Sequence, residues 1–222
     1  MDNDGVIGFP LVIDPIVMYY NRDILSNEGV VNPPTTWEEL FKLNSILTRR
    51  DNNGSIYQSM IALGQYDNIK NAKDILSALL LQNNNNIISN TDSGYIATLK
   101  DYNNSSSSST GTVLKFFIEF SNPSNTAYSW NGSLPNSFDM FTSGKLAFYL
   151  GRASELFDIE NTNPNLSFDV TQIPQIKDAK VKRTYGDIYA IVVNKNSSNI
   201  SLAFRVASEL SSGDSAQGLS VS

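Results

Sequence analysis

The sequence predicts an α/β protein. Segments rich in β-branched and aromatic residues alternate along the chain with segments whose apolar residues recur at helical spacing. The strand-like segments lie at 6–13, 16–20, 146–150 and 185–193, and the amphipathic ones at 37–50, 72–80, 113–120 and 202–210. The chain has 222 residues, of which 41% are hydrophobic, which is enough to bury a sizeable core. Alternation of the two types is typical of layered strands and helices.

The first third of the chain begins with two strand-like segments that Pro10 and Pro15 interrupt, which predicts strand, bend, strand. After the prolines at 33 and 34, the sequence Thr36-Trp37-Glu38-Glu39 has the form of a capping box. It predicts an amphipathic helix from about residue 37 to 50, with Trp37 as a core residue at its start. The sequence DNNG at 51–54 predicts a turn, because its glycine comes two positions too early for a calcium loop of the EF-hand type.

Later elements follow from the same patterns. The sequence predicts a strand at 59–63, helices at 72–80 and 113–120, a short helix at 137–141 ended by Gly144, a strand at 146–150, a helix near 152–160, a buried strand at 166–170, a strand at 185–193 and a helix at 202–210. The asparagine run at 83–86 and the serine run at 105–109 predict solvent-exposed loops.

Composition excludes several functional classes. The chain contains no cysteine and no histidine, which excludes disulfides, thiolate nucleophiles, Cys/His zinc sites and histidine-based triads. Its net charge of -6 provides no basic surface for nucleic acid. No apolar run reaches the roughly 20 residues of a membrane span, and MDNDGVIGFP lacks the pattern of an export signal. Because the chain opens almost directly into a strand-like segment, we expect that a preceding segment is missing.

Several motifs carry a family resemblance. One segment of the chain resembles family 1 extracellular solute-binding proteins, the group that includes maltose-binding protein. The motifs that carry the resemblance occur in the family's order and are YYNRDIL at 19–25, Glu28-Gly29, and PPTTWEEL at 33–40. FTSGKLAF at 141–148 is similar to the family's F-x-x-G-K-x-A element, and Pro174-Gln175 and Tyr185-Gly186 are similar to later elements in the same order. The resemblance extends from about Ile7 to Gly218.

This resemblance implies a fold and a domain organisation. The fold would be a periplasmic-binding-protein-like lobe of type II, with three αβα layers, a mixed sheet and hinge-crossing strands. Residues 1–13 would cross from a missing first lobe, 14–182 would form the second lobe, and 183–222 would return to the first lobe. Apolar residues in 185–206 would then lack their usual cover, and we expect them to dock on the same lobe or to promote self-association.

The resemblance also implies a function. It suggests binding of a sugar or oligosaccharide in an interlobe cleft and delivery to the membrane permease of an ABC-type importer, with no cofactor and no metal. The location would be extracytoplasmic, either periplasmic or anchored at the cell surface as a lipoprotein. Two alternatives remain: a surface glycan-binding or structural protein without a transport role, and a carboxylate-based glycosidase that uses, for example, Asp14 and Asp67.

Four candidate ligand contacts follow strand-like segments, and a fifth, Tyr185, begins one. Asp14 precedes Pro15, and it is either a carboxylate that faces the cleft or an exposed strand-end cap. Gln65, Tyr66 and Asp67 follow the strand at 59–63, where α/β proteins bind ligands. Tyr185 either closes the cleft floor or is an ordinary strand aromatic.

Three further candidates lie in the second half of the chain. Trp130 is either a stacking platform for a sugar ring or a lid over the core of its own lobe. Arg152 and Ser154 follow Gly151 at the expected start of a helix, where backbone amides and the two side chains would point into the cleft. Alternatively, Arg152 pairs with Glu155 on the surface.

Overall fold

A computed structural model describes residues 8–92, 94–100 and 109–212 of the chain. The described residues form two compact units. The larger one consists of 15–185, and the smaller one combines 8–14 with 186–212.

Strands and helices alternate along the chain, which confirms the predicted α/β class. The strands are β1 (Phe9–Asn21), β2 (Arg49–Arg50), β3 (Ile56–Ile61), β4 (Ile88–Thr91), β5 (Gly94–Ala97), β6 (Leu146–Arg152), β7 (Phe168–Thr171) and β8 (Gly186–Ile191). The helices are α1 (Arg22–Asn27), α2 (Trp37–Leu47), α3 (Ala72–Gln82), α4 (Ser109–Glu119), α5 (Ser137–Thr142), α6 (Glu155–Thr162) and α7 (Ile200–Leu210), and a 3₁₀ turn covers Thr98–Lys100.

The sheet of the larger unit is mixed, in the strand order β2-β3-β6-β1-β7. Strand β6 runs parallel to β3 and antiparallel to β1. Residues 146–151 of β6 are all buried, as expected for a central strand with a continuous apolar sequence. The mixed sheet agrees with the fold that the family resemblance implied.

Strand β1 is one continuous strand of 13 residues, so the predicted bend between two strands is wrong. Proline's fixed backbone angle is compatible with extended structure, and a strand tolerates its missing N–H where no ladder bond is needed. The ladder with β6 begins only at Ile16, directly after Pro15. Pro15 contributes its carbonyl instead, which accepts a hydrogen bond of 2.9 Å from the amide of Ala153.

Helix α2 begins with the predicted capping box. The Thr36 hydroxyl accepts from the Glu39 amide, and the Glu39 carboxylate accepts from the Thr36 amide. The helix ends at Leu47 rather than Arg50, which corrects the predicted length. Thr48 ends it, because its extended backbone lets its hydroxyl donate to Asn44 and accept from the Met60 amide of β3.

Other boundaries also differ from the predictions. Helix α6 begins at Glu155 instead of residue 152. The predicted buried strand at 166–170 is β7, at the edge of the sheet, where Val170 is exposed. The hairpin of β4 and β5 was not predicted. Of the serine run predicted as a loop, residues 105–108 lie outside the described residues, and Ser109 is the first residue of α4.

The smaller unit contains the first residues of β1 together with β8 and α7. Strand β8 pairs with β1, and the Phe9 ring packs edge-on against Phe204 with ring centroids 5.7 Å apart. Ile188, Phe204 and Val206 are exposed within this unit. Self-association through residues 185–206 stays a prediction. In the part of the chain that the structure describes, no helix is long and apolar enough to cross a membrane.

Candidate functional site

An open groove of about 620 Å³ lies beyond the ends of the parallel strands β3 and β6 in the larger unit. Ligands of α/β proteins bind beyond the carboxyl ends of such strands. The groove is rich in polar and charged side chains, which include Tyr66, Asp67, Lys70, Asp74, Asn136 and Arg152.

The loop after β3 supplies the exposed aromatic ring of the groove. Leu63 is fully buried, whereas Tyr66 is 67% exposed and Asp67 is exposed beside it. Asn68 anchors the base of this loop, because its side-chain amide donates to the carbonyls of Asn131 and Leu134 at 2.9 and 3.1 Å. The anchored base lets Tyr66 and Asp67 project from a fixed position.

Arg152, the last residue of β6, lies in the groove with a partner that the sequence did not indicate. Its guanidinium forms an ion pair of 2.6 Å with Asp74 in the first turn of α3. This corrects the alternative that pairs Arg152 with Glu155. An ion pair between a guanidinium and a carboxylate is geometrically specific, so Asp74 orients Arg152 in the groove.

Glu155 is instead buried behind the groove, with 5% of its surface exposed. Its carboxylate accepts hydrogen bonds from the Tyr149 hydroxyl and, at 2.9 Å, from the Asn71 side-chain amide. The Lys70 ammonium lies 3.5 Å from the same carboxylate. Burial, and then the nearby charge of Glu155, raise the pKa of the Tyr149 hydroxyl, which therefore stays protonated and acts as a donor.

Trp130 does not contribute a stacking platform. The residue is fully buried in the core, and its indole N–H donates to Asn68 Oδ1 at 3.0 Å. The alternative, a lid over the core of its own lobe, fits this position. Through this bond Trp130 holds Asn68, the anchor of the Tyr66 loop.

The remaining candidates are distributed as follows. Gln65 directly precedes the exposed Tyr66, and Ser154 is exposed at the turn before α6. Tyr185 is half-buried and packs against the core of the larger unit. Asp14 belongs to the smaller unit and lies inside β1 with only 7% of its surface exposed, so it is not an exposed strand-end cap. The groove thus brings together Tyr66, Asp67 and Arg152.

Sequence reasoning missed the groove residues that come from the start of α3 and from the turn before it. Lys70 and Asn71 lie between a predicted strand end and a predicted helix, and Asp74 lies in the first turn of that helix; this position is the signal that would have found them. Asn136, the N-cap of α5, was also missed, although it directly precedes the short helix predicted at 137–141. Among the described residues, no group of acidic side chains could hold a metal ion.

Comparison with known proteins agrees with this architecture. Residues 2–212 match the family described as bacterial extracellular solute-binding protein. No curated protein sequence matches the chain.

Solved structures match at low sequence identity. A cyclo/maltodextrin-binding protein complexed with maltotetraose matches with a TM-score of 0.70 and 14% identity over 98% of this chain and 51% of that one. The Staphylococcus aureus extracellular solute-binding protein in complex with maltose matches with a TM-score of 0.71 and 14% identity, over 98% of this chain and 52% of that one. The Thermotoga lettingae solute-binding protein bound with α-D-tagatose matches with a TM-score of 0.60 and 22% identity, over 94% of this chain and 50% of that one. The chain spans about half the length of these structures.

The fold and the family match define the class of the protein as a solute-binding protein, a class whose members bind a ligand without transforming it. The chain belongs to the bacterial extracellular solute-binding protein family. The family's extracellular description implies an extracytoplasmic location.

Proposed function

We propose that the protein binds a sugar or short oligosaccharide and delivers it to the permease of an ABC-type importer. The observation that carries this proposal is the exposed ring of Tyr66 beside Asp67 and the oriented guanidinium of Arg152 in one groove. The groove would form one face of the binding cleft.

The chemistry of the groove suits a polyhydroxylated ligand. A sugar ring has apolar faces that stack on an aromatic side chain, and hydroxyls on its edge that both donate and accept hydrogen bonds. In this proposal Tyr66 covers one face of the sugar, the Asp67 carboxylate accepts from hydroxyls, and Arg152 donates to them. The Asp74 carboxylate balances the charge of Arg152, which favours a ligand without a full negative charge.

The family and the solved structures support the same class of ligand. The similar structures hold maltose, maltotetraose or tagatose, and further ones from Bdellovibrio bacteriovorus and Thermus thermophilus hold maltotriose. In the proposed mechanism the ligand shifts an open–closed equilibrium, and the closed form docks on the permease. Periplasmic location or surface anchoring as a lipoprotein belongs to this proposal.

Titration of the 222-residue chain with maltotriose, followed by two-dimensional amide NMR, tests the binding site. One face of a cleft should bind with a dissociation constant of about 1 mM, which corresponds to roughly 4 kcal/mol. We expect the largest shifts at residues 65–74, Asn136 and Arg152, and their loss in Tyr66→Ala. Tyr95→Ala removes a tyrosine that is 76% exposed on β5, outside the groove, and serves as the matched control. The proposal would be contradicted by shifts centred elsewhere, or by no shifts at a maltotriose concentration about 20-fold above the expected dissociation constant of about 1 mM.

The same titration tests the other predicted contacts. Asp14→Asn, Gln65→Ala, Ser154→Ala and Tyr185→Phe should each weaken binding if their side chains reach the ligand. Asp67→Asn should weaken it most, because Asn provides one acceptor oxygen in place of the two of a carboxylate.

Two measurements separate import from the alternatives. Deleting the gene should reduce uptake of labelled maltotriose by the source bacterium, whereas a purely structural surface protein would leave uptake unchanged. Incubating the protein with maltotriose should release no shorter sugars, whereas a glycosidase would release them.

A further inference from the structure

The buried carboxylate of Glu155 occupies the first position of α6 and is surrounded by groups from two other elements. Tyr149 reaches it from β6, and Asn71 and Lys70 reach it from the turn that leads into α3. A buried carboxylate is stable only when hydrogen bonds or cations replace its water shell. Glu155 has both, so its charge fixes the turn before α3 to the end of β6.

Two members of this cluster, Asn71 and Lys70, also line the groove, and Lys70 supplies its cationic group. Its ammonium lies 3.5 Å from the Glu155 carboxylate and 4.2 Å above the Phe138 ring. Its side chain nevertheless remains 38% exposed. An ammonium has three N–H donors, so Lys70 keeps donors for a ligand while Glu155 and Phe138 restrict its position.

Tight packing around Gly151 restricts the positions of Tyr149 and Glu155. A Cβ atom at residue 151 would lie 2.5 Å from Tyr149 Cε1 and 3.2 Å from a carboxylate oxygen of Glu155. The Tyr149 ring also stacks on Phe141 at 5.4 Å between centroids. Tyr149 and Glu155 therefore have little room to move, which makes the carboxylate a rigid reference point for Lys70.

We propose that Lys70 is a ligand-contacting residue of the groove and that Glu155 is its positioning residue, which aims the ammonium without touching the ligand. This inference rests on the proposed function for its ligand, a neutral sugar whose hydroxyl oxygens accept from the ammonium. Asn71 supports the same arrangement, because its amide bonds to the Glu155 carboxylate and to the Leu150 carbonyl at 2.9 and 3.3 Å.

A double-mutant cycle with maltotriose tests the division of roles. Lys70→Met keeps the aliphatic stem and removes the ammonium, and it should weaken binding about tenfold, as expected for a hydrogen bond to a charged group. Glu155→Gln should weaken binding to a similar extent in the wild-type background, but by less than about twofold in Lys70→Met. Lys42→Met, on an exposed position of α2 outside the groove, is the control for the change in net charge.

A merely structural role of Glu155 would give a different result. Its replacement would then weaken binding equally in both backgrounds, and the inference would be overturned. Lys70→Met leaves the buried cluster largely intact, so an unchanged affinity in that variant overturns the ligand contact even if Glu155→Gln fails to fold.

A ligand-free measurement separates this inference from the proposed function. NMR relaxation of the Lys70 side-chain ammonium should show restricted motion in the wild-type protein and free motion in Glu155→Gln. Equal motion in both overturns the positioning role. If maltotriose and maltotetraose fail to bind the wild-type protein while Lys70 is restricted, the sugar-binding function is wrong and the positioning role stands.

Discussion

Gly64 connects the end of β3 to the Tyr66 loop, and we expect that no other residue is tolerated there at low cost. Its φ of +90° lies in the region that L residues rarely adopt. A Cβ atom at this position would lie 2.7 Å from Ser121 Cβ and 2.8 Å from the Ser121 backbone nitrogen. That nitrogen donates to the Ile118 carbonyl at 3.1 Å, so the obstructing backbone is itself held in place.

Gly54 is a matched control in the turn between β2 and β3. Its φ of +83° is similar, but a Cβ atom there would meet nothing within 4 Å. A positive φ costs an L residue about 1–2 kcal/mol at either site. Overpacking adds about 1–3 kcal/mol at Gly64 only. Gly64→Ala should therefore lower the free energy of unfolding by about 2–5 kcal/mol, and Gly54→Ala by about 1–2 kcal/mol.

Urea unfolding followed by tryptophan fluorescence measures this difference, because Trp37 and Trp130 both lie in the larger unit. The change in unfolded-chain entropy is the same for the two Gly→Ala substitutions and cancels. Equal losses for the two variants would refute the argument from packing. Ser121→Gly in the Gly64→Ala background should restore only part of the stability, since the backbone nitrogen remains in the way.

Three further predictions concern other parts of the larger unit. Trp130→Phe removes the hydrogen bond that the indole donates to half-buried Asn68 and should cost about 0.5–1.5 kcal/mol in urea unfolding, and no loss would show that the bond is dispensable. Hydrogen bonds from residues 35 and 36 lower the pKa of Glu39. The stability that Glu39 contributes to α2 is therefore present above the ordinary glutamate pKa and is lost as the pH falls through the pKa of the folded protein. Glu39→Gln should remove this acid sensitivity, which circular dichroism measures below about pH 5. Phe148→Ala empties a fully buried site in β6 and should cost about 3–5 kcal/mol, whereas Phe157→Ala, exposed on α6, should cost far less.

Local patterns were predicted well because their determinants lie within a few residues. The capping box at Thr36, the turn at Gly54 and the core role of Trp37 all depend on neighbours along the chain, and the structure confirms each. The Trp37 indole donates to Gln82 at 2.8 Å, but its burial was already indicated by its place on an amphipathic helix.

Errors arose where a distant strand changed the outcome. Pro15 interrupts the apolar pattern of β1, yet the ladder with β6 begins one residue later and the strand continues. The helical pattern of α2 extends to Arg50, but Thr48 bonds to the Met60 amide and directs the chain onto β3. In both cases a partner far along the sequence provides the decisive hydrogen bond.

The predictions for the groove residues also divide into those that local sequence decides and those that tertiary packing decides. The sequence placed Tyr66, Asp67 and Arg152 at strand ends, and they line one groove. It also suggested Trp130 as a stacking platform, although the residue is buried. Periodicity indicates which residues are apolar or follow a strand, but it does not indicate which loop tryptophan the core encloses.

By itself, the sequence determined the α/β class, the family and the strand ends at which a ligand would bind, because these depend on local patterns and ordered motifs. Only the tertiary structure decided which charges meet. Asp74 lies 78 positions before Arg152, and Asn71 lies 84 positions before Glu155, yet each pair is within hydrogen-bonding distance. The parallel pairing of β3 with β6 brings these segments to the same edge of the sheet, and no pattern along the chain specifies which strands pair.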